Sequence, residues 1–227
     1  MRRSLTSSAE LFGPDLLPCG ASLPCVPLQS SASRFAFFDP QGDPMHPPRI
    51  HIVGASGSGT TTLGAGLAGE LGCAHFDVDS FFWLPTDPPF EKVRPADARL
   101  ALLRQALNSA PAWIISGSLC GWGDPLIPLF SLVVFLTLPT DVRVARRRQR
   151  ELLRFGSAAI DPCRPQHERY RKFIGWASAY DEGDLSVRSR RLHETWLASL
   201  DCPVLRLAGA LPTDVQIATV LRQLPLP

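Results

Sequence analysis

A glycine-rich loop between a predicted strand and a predicted helix constrains the fold of this chain more than any other feature. The segment Arg49–Val53 predicts a short strand, and it runs into Gly54, Gly57 and Gly59. The segment Thr61–Leu71 then repeats apolar residues at helical spacing. Glycines permit backbone angles that turn successive N–H groups inward, so the loop and the first helical turn predict a nest for an anion such as a phosphate chain.

The loop matches the phosphate-binding P-loop pattern G-x-x-x-x-G-K-[ST] with one departure. Thr60 takes the position of the lysine, which normally places a positive charge on the β- and γ-phosphates. Thr61 takes the Ser/Thr position, whose hydroxyl can join a magnesium shell, so we predict Thr61 as a metal ligand. An ordinary turn between strand and helix is the alternative. The predicted nucleotide-binding residues are Gly54, Ser56, Gly57, Ser58, Gly59, Thr60, Thr61 and Thr62.

Strand and helix patterns alternate through the rest of the chain, which predicts an α/β fold with a parallel sheet and helices on both faces. The predicted strands are Arg49–Val53, Ala74–Val78, Trp113–Ser116, Leu132–Leu138 and Val204–Leu207. The predicted helices are Thr61–Leu71, a helix capped by Asp97 that runs to about Asn108, Asp141–Phe155, Gln166–Ala179, Arg188–Ser199 and Thr213–Leu224.

Composition excludes several classes of protein. The net charge of +2 gives no general affinity for nucleic acid or membranes, so we expect neither as a partner, and the oligomeric state stays open. No apolar run approaches the ~20 residues of a membrane span. The six cysteines form no C-x-x-C pair and no metal-ligand spacing, so we expect reduced thiols in a cytoplasmic protein.

Residues 1–48 differ in character from the rest of the sequence. They are rich in Ser, Pro and Leu and show no sustained period, which predicts a disordered extension. A signal peptide beginning at Met1 is a weak alternative, because no apolar stretch of about 7–15 residues follows. A further alternative is translation from Met45.

Acidic and aromatic side chains follow the second predicted strand, at the sheet edge where ligands bind in parallel α/β folds. Asp77 and Asp79 are two apart on a segment predicted to be extended, so both point the same way. Such a pair could orient an acceptor, act as a general base or hold magnesium through water, and a helix N-cap with a solvated aspartate is the alternative. Trp83 predicts either a stacking surface for a ring or ordinary core.

The segment after the third predicted strand offers further contacts. Its glycines would let the backbone approach a ligand closely. Ser118, Trp122 and Asp124 are therefore candidate acceptor-binding residues. Because Asp124 precedes a proline, a helix N-cap is the competing interpretation.

These motifs resemble the adenylate-kinase-like P-loop phosphotransferases, most closely small bacterial proteins catalogued as adenylate kinases or topology modulation proteins. The resemblance covers residues 49 to about 220 and implies one P-loop kinase-like domain over residues 49–227. It implies a three-layer fold with strand order 2-3-1-4-5, ATP in the P-loop and an acceptor site over the strand ends. The motifs that carry it are Gly54–Thr62, His75–Trp83, Ser116–Asp124 and the arginines after Leu138-Pro139-Thr140.

Five arginines share one face of the predicted helix Asp141–Phe155, at positions i, i+3, i+4, i+7 and i+11: Arg143, Arg146, Arg147, Arg150 and Arg154. The resemblance also implies roles for this helix. Related kinases carry arginines here that reach the transferring phosphate, and a solvated basic helix is the alternative. We predict Arg146 and Arg150 as catalytic residues, one of which would supply the charge missing at Thr60. Residues of about 154–166 predict an Arg-bearing lid, broken by glycine and prolines.

The expected function is therefore transfer of the γ-phosphoryl group of ATP, with Mg²⁺, to a small acceptor such as a nucleoside monophosphate. Asp77 is a predicted catalytic residue, Asp77 or Asp79 is predicted to orient the acceptor, and both are predicted to bind it. The threonine at the lysine position puts catalytic efficiency in doubt, since phosphoryl transfer depends on charge stabilisation there. The alternative is a nucleotide-binding regulatory or interaction protein with weak or no kinase activity.

Overall fold

The computed structural model of the chain describes residues 47–87, 89–156 and 161–224. Nearly all of the extension predicted over residues 1–48 lies outside the described residues. The same holds for residues 157–160, the middle of the predicted lid.

A single parallel sheet of five strands has the order β2-β3-β1-β4-β5. This confirms the predicted α/β architecture and the order 2-3-1-4-5. The inner strands are almost wholly buried and the edge strands only partly so, because helices cover both faces while each edge lacks a neighbour. The strands are β1 Arg49–Gly54, β2 Ala74–Asp77, β3 Trp113–Ser116, β4 Leu132–Thr137 and β5 Val204–Ala208.

One or more helices follow each strand, and all except α2 (Val78–Phe82), which was not predicted, have boundaries within two or three residues of the prediction. They are α1 Thr60–Leu71, α2 Val78–Phe82, α3 Ala96–Asn108, α4 Thr140–Phe155, α5 Pro165–Ser178, α6 Arg190–Leu197 and α7 Thr213–Leu221, with short 3₁₀ helices at Asp124–Leu129 and Ala179–Asp181.

Alternate residues of the central strands contribute their side chains to two separate hydrophobic cores, one on each face of the sheet. Ile50 and Ile52 of β1 pack with Leu63 and Leu67 of α1, and α7 joins them on that face. Val53 of β1 packs on the other face with side chains from α3 and α6. Because successive side chains of a strand point to opposite faces, each strand contributes to both cores.

Two local predictions are wrong. Asp79 does not lie on an extended segment, because β2 ends at Asp77 and α2 begins at once. Asp97 does not cap α3: the N-cap residue is Pro95, and Asp97 lies within the first turn. Proline supplies the backbone angle that a helix start needs, and an aspartate in the first turn still interacts favourably with the helix dipole.

Candidate functional site

The loop between β1 and α1 requires glycine at two positions for different reasons. Gly57 has a φ of 89°, and a Cβ there would lie 2.8 Å from the carbonyl oxygen of Arg143. A Cβ at Gly54 would lie 2.6 Å from both the Leu136 carbonyl oxygen and the Ser58 hydroxyl. The loop therefore packs tightly against β4 and α4, and its backbone path leaves no room for side chains at these points.

The start of α1 is arranged to receive an anion. Gly59 precedes the helix with a φ of 102° and has no side chain that could cap it. The first turn consists of Thr60, Thr61 and Thr62, whose backbone N–H groups have no acceptor within the helix. The positive end of the helix dipole adds to these donors, so a phosphate group fits here.

One cavity of about 890 Å³ opens over this loop and the carboxyl ends of the strands. This volume is large enough for a nucleotide together with a small second molecule. The predicted nucleotide-binding residues from Ser56 to Thr62 all line it. Gly54 instead lies below the loop at the end of β1, where its carbonyl oxygen accepts a hydrogen bond from Arg188 (3.0 Å).

Thr61 and Asp77 form a pair of oxygen donors beside the loop. The Thr61 hydroxyl donates to Oδ2 of Asp77 (3.0 Å), and the Oδ1 atom of Asp77 accepts the backbone N–H of Asp79 (2.9 Å). Asp77 thus caps α2, as the competing interpretation had it, and also faces the cavity. A hydroxyl and a carboxylate are hard oxygen ligands that suit Mg²⁺, which keeps several waters and binds phosphate oxygens in such sites.

Asp79 lies in the same cavity, half-buried behind Asp77. Burial, followed by the negative charge of Asp77, raises the pKa of Asp79 to about 6, although Arg188 and Arg147 act in the opposite direction. A carboxyl group with a pKa close to neutrality can take or release a proton at physiological pH.

Five arginines of the described chain line the cavity, against two carboxylates from Asp77 and Asp79. This excess of positive charge favours a ligand with several negative charges, and guanidinium forks match phosphate oxygens. Four of the arginines come from α4 and one from the turn before α6. They are Arg146, Arg147, Arg150, Arg154 and Arg188.

The α4 arginines differ in their surroundings. Arg147 packs against the loop: its Cγ would lie 3.3 Å from a Cβ on Gly57. Arg146 donates to the carbonyl oxygen of Gly209 at 3.4–3.5 Å. Arg143 shares the predicted face but is fully buried and belongs to the scaffold, because it donates to the carbonyl oxygens of Leu138 and Ala177 and forms an ion pair with Asp181 at 2.9 Å.

Arg188 is a cavity residue that the sequence did not single out. It lies before α6 with its guanidinium 5.8 Å from the Trp176 ring, and its charge lowers the pKa of Asp79 against the effect of burial. In the sequence it belongs to the run from Arg188 to Arg191, which is typical of a solvated surface. Only the fold brings it to the ends of the strands.

Aromatic side chains form part of the cavity wall. Two of them, Trp83 and Trp122, were predicted to contact an acceptor, and both line the cavity as largely buried side chains. Ser118 also lines it. The complete set of ring-bearing residues in the wall is Phe82, Trp83, Trp122, Phe173 and Trp176.

Asp124 stands outside the cavity lining that the structure describes, so its predicted contact with an acceptor finds no support. Its carboxylate accepts a hydrogen bond from the indole Nε1 of Trp196 (2.9 Å), and it occupies the first position of a 3₁₀ helix. This partner lies 72 residues away in the sequence and could not be anticipated from local spacing.

The flanks of the predicted lid also border the site. Leu153 and Arg154 at the end of α4, and Phe173 and Trp176 in α5, line the cavity. Gly156 follows α4 with a φ of 65°, which ends the helix. The cavity is thus bounded by both helices that flank the predicted lid.

The described residues contain no group of three or more histidine, cysteine or acidic side chains arranged to hold a metal. Nor is any helix among them both long and apolar enough to cross a membrane. The four cysteines within the described ranges, Cys73, Cys120, Cys163 and Cys202, are free thiols.

The sheet order, the glycine loop and the helix that follows it define a P-loop kinase-like α/β fold. A protein of Bacillus subtilis (strain 168), named "Uncharacterized protein YqaC", is 44% identical over 172 residues, which cover 76% of this chain and 94% of that protein. The chain therefore belongs to the family of this protein. A scan against protein-family models finds no match.

Solved structures similar to this chain include three kinases. A gluconokinase from Sinorhizobium meliloti 1021 is 16% identical with a TM-score of 0.47, covering 78% of this chain and 91% of that one. An unliganded sugar kinase from Janibacter sp. HTCC2649 is 20% identical with a TM-score of 0.43, covering 78% and 93%. Shikimate kinase from Aquifex aeolicus vf5 is 18% identical with a TM-score of 0.41, covering 77% and 94%.

Proposed function

We propose that this protein is a phosphotransferase that uses Mg²⁺-ATP and passes the γ-phosphoryl group to a small acceptor such as a nucleoside monophosphate. The observation that supports it is the single cavity that joins an uncapped helix start, a hydroxyl–carboxylate pair and several arginines. Anion binding, magnesium binding and charge neutralisation are the three requirements of phosphoryl transfer. A cytoplasmic location belongs to the same proposal.

The residues of the chain divide these tasks. The backbone N–H groups of Gly57, Gly59, Thr60 and Thr61 bind the β-phosphate, whereas that of Ser58 donates to the carbonyl oxygen of Ala55 within the loop (3.1 Å). Thr61, held by Asp77, provides a hydroxyl to the ion. Bound ATP and Mg²⁺ supply the phosphoryl group and neutralise its oxygens. Arg146 and Arg150, as predicted, and Arg147, which packs on the loop, offset negative charge that develops on the phosphate oxygens.

The acceptor half of the cavity suits two chemistries. The aromatic wall can stack on a base and the arginines can bind a phosphate, as a nucleoside monophosphate requires. Asp79, beside Asp77 in the cavity, can instead take the proton of an attacking hydroxyl group.

Acceptor-dependent release of ADP tests the proposal. Residues 45–227 and the full chain would each receive Mg²⁺-ATP with AMP, CMP, deoxynucleoside monophosphates, shikimate or gluconate. We expect at least one acceptor to accelerate ADP release well above the rate with ATP alone. ATP binding with no acceptor-dependent ADP would instead favour the regulatory function.

An Asp79→Asn variant then identifies the acceptor chemistry. A hydroxyl nucleophile needs a base, so loss of Asp79 should slow turnover by about a hundredfold or more. A phosphate nucleophile is already ionised and needs no base, so the same change should alter kcat only a few-fold. Asp97→Asn, on the exposed first turn of α3, is a control outside the cavity.

A nucleotide-binding regulator remains the second candidate, and the threonine at the lysine position is the observation that favours it. Thr60→Lys places an ammonium group at the first residue of α1. We expect this variant to raise ATP affinity or turnover. Loss of both would show that the loop uses threonine in a different geometry.

A further inference from the structure

A chain of three side chains leads from the cavity into the protein interior. Ser118 lines the cavity just after β3, and its hydroxyl oxygen lies 3.1 Å from Nε2 of His193. The Nδ1 atom of the same ring lies 2.7 Å from the phenol oxygen of Tyr180. Both ring nitrogens of His193 are therefore engaged, one towards the cavity and one away from it.

His193 carries a single ring proton in this position. The side chain is fully buried on α6, with the Phe135 ring at its edge. Burial, followed by the positive charges of Arg188 and His51, lowers the pKa of His193 well below its ordinary value. A neutral imidazole donates at one nitrogen and accepts at the other, so its two partners must play opposite roles.

Tyr180 decides which role falls to which partner. Its side chain is buried beneath the guanidinium of Arg143, which lies 5.0 Å from the ring, and burial raises the pKa of the phenol. The phenol thus keeps its proton, and a phenol is a better donor than acceptor towards a neutral imidazole nitrogen. Tyr180 therefore donates to Nδ1 of His193, and the ring proton sits on Nε2, facing Ser118.

Ser118 consequently accepts from His193 and has its own proton left to donate. Its neighbour Cys120 hydrogen-bonds to the Ser118 side chain, but sulfur is a weak acceptor. An oxygen atom of a molecule in the cavity is a stronger one. The relay thus turns a hydroxyl that could otherwise donate or accept into a donor directed at the cavity.

We propose that Ser118 binds an oxygen atom of the phosphate acceptor as a donor, and that His193 and Tyr180 are positioning residues that fix its direction. This rests on the proposed function, since it concerns the acceptor end of the same cavity. It adds a requirement on the substrate: the acceptor presents a hydrogen-bond-accepting oxygen to this wall.

The tautomer of His193 tests the relay without any ligand. Long-range ¹H–¹⁵N spectra of the full chain with labelled histidine report which nitrogen bears the proton, and His193→Gln assigns the signal. We expect the Nε2–H form in the wild type and a shift towards the Nδ1–H form in Tyr180→Phe. An Nδ1–H form in the wild type, or an unchanged tautomer in Tyr180→Phe, overturns the relay.

Steady-state kinetics with the best acceptor of the panel test the role of Ser118. Ser118→Ala and Tyr180→Phe should each raise the acceptor KM by about three- to tenfold, the effect of one lost hydrogen bond, and leave the ATP KM unchanged. The double variant should be no worse than Ser118→Ala alone, because both changes remove the same contact. Tyr170→Phe, in α5, is the matched control and should leave the acceptor KM unchanged.

The two experiments fail in distinguishable ways. Additive effects, or equal changes in the acceptor and ATP KM values, overturn the donor role of Ser118 while the proposed function stands. Absence of turnover with every acceptor defeats the proposed function and with it the substrate role of Ser118, whereas the tautomer measurement still decides whether the relay exists.

Discussion

Arg147 is an arginine of α4 that contacts the phosphate-binding loop. It packs against Gly57 from α4 and also lines the cavity, so we propose that it takes over part of the role of the missing P-loop lysine. We expect Arg147→Ala to weaken Mg²⁺-ATP binding by about tenfold or more, the usual effect of losing a charge-assisted hydrogen bond. Isothermal titration calorimetry measures this directly.

Arg148 provides the matched control for that variant. It is the next residue on the same helix but is exposed and outside the cavity lining that the structure describes. Equal losses of affinity in Arg147→Ala and Arg148→Ala would mean that only the overall charge of α4 matters. The predicted roles of Arg146 and Arg150 are tested in the same series: if neither alanine variant changes ATP binding or turnover, those two predictions are wrong.

The elements of the fold were largely predictable, and the exceptions have physical causes. Strands such as β1 and β4 are buried on both faces and bounded by glycine or proline, so their continuous apolar runs could be recognised as strands in the sequence. The helix α2 has five residues, too few to show a period, and was missed.

The residues of the candidate site also differ in how far the sequence predicts them. The loop residues were predictable because their chemistry depends on local sequence. Arg188 and the His193–Tyr180 pair were not, because only tertiary packing brings Arg188 to the cavity and the pair to Ser118, which lines it. Four of the five arginines predicted to share one face of α4 line the cavity: Arg146, Arg147, Arg150 and Arg154. The fifth, Arg143, is fully buried in the protein interior instead.

Two glycines in α1 test how closely this element packs on the sheet. A Cβ at Gly64 would lie 2.5 Å from Nε2 of His75, which is itself held by Ser116 at 2.9 Å. A Cβ at Gly69 would meet nothing within 4 Å. Gly64→Ala should therefore destabilise the protein by about 1–3 kcal/mol through overpacking, whereas Gly69→Ala should stabilise it by about 0.5–1 kcal/mol.

Urea unfolding of both variants measures these free energies. The two substitutions are chemically identical and lie on the same helix, so helix propensity acts equally on both and only the packing differs. A similar gain of stability in both would show that His75 and Ser116 yield at little cost and that α1 is not tightly seated on β2 and β3.

Two buried histidines couple the stability of the whole molecule to pH. His51 lies on β1, at the centre of the sheet, with its ring centroid 5.1 Å from that of Phe130 and 5.4 Å from that of Trp196. His193 is fully buried in α6. Burial lowers the pKa of His51 to about 4, although its hydrogen bond to the Gly117 carbonyl oxygen opposes the shift. Burial also lowers the pKa of His193 well below its ordinary value, and the positive charges of Arg188 and His51 act in the same direction.

The sign of the pH effect follows from these directions. As pH falls below about 6.5, the unfolded chain protonates both histidines while the native state keeps them neutral, so stability is lost. Each histidine contributes a slope of about 1.4 kcal/mol per pH unit in this range. Asp79 acts with the opposite sign, because its raised pKa lets the native state bind a proton first, and it offsets part of the loss.

His51→Phe isolates one of these contributions. The substitution keeps an aromatic ring in contact with Phe130 and Trp196 and removes the titrating group. We expect the variant to lose the Gly117 hydrogen bond at every pH, but to show a slope of unfolding free energy against pH that is smaller by about 1.4 kcal/mol per unit between about pH 6.5 and 5. Urea unfolding without nucleotide or Mg²⁺ measures that slope.

Ile115→Val, a neutral change in the same core, controls for a general loss of stability. It should lower the free energy of unfolding at every pH without changing its slope against pH. An identical slope in wild type and His51→Phe would mean that the imidazole takes up a proton without unfolding, and that this part of the interior admits water.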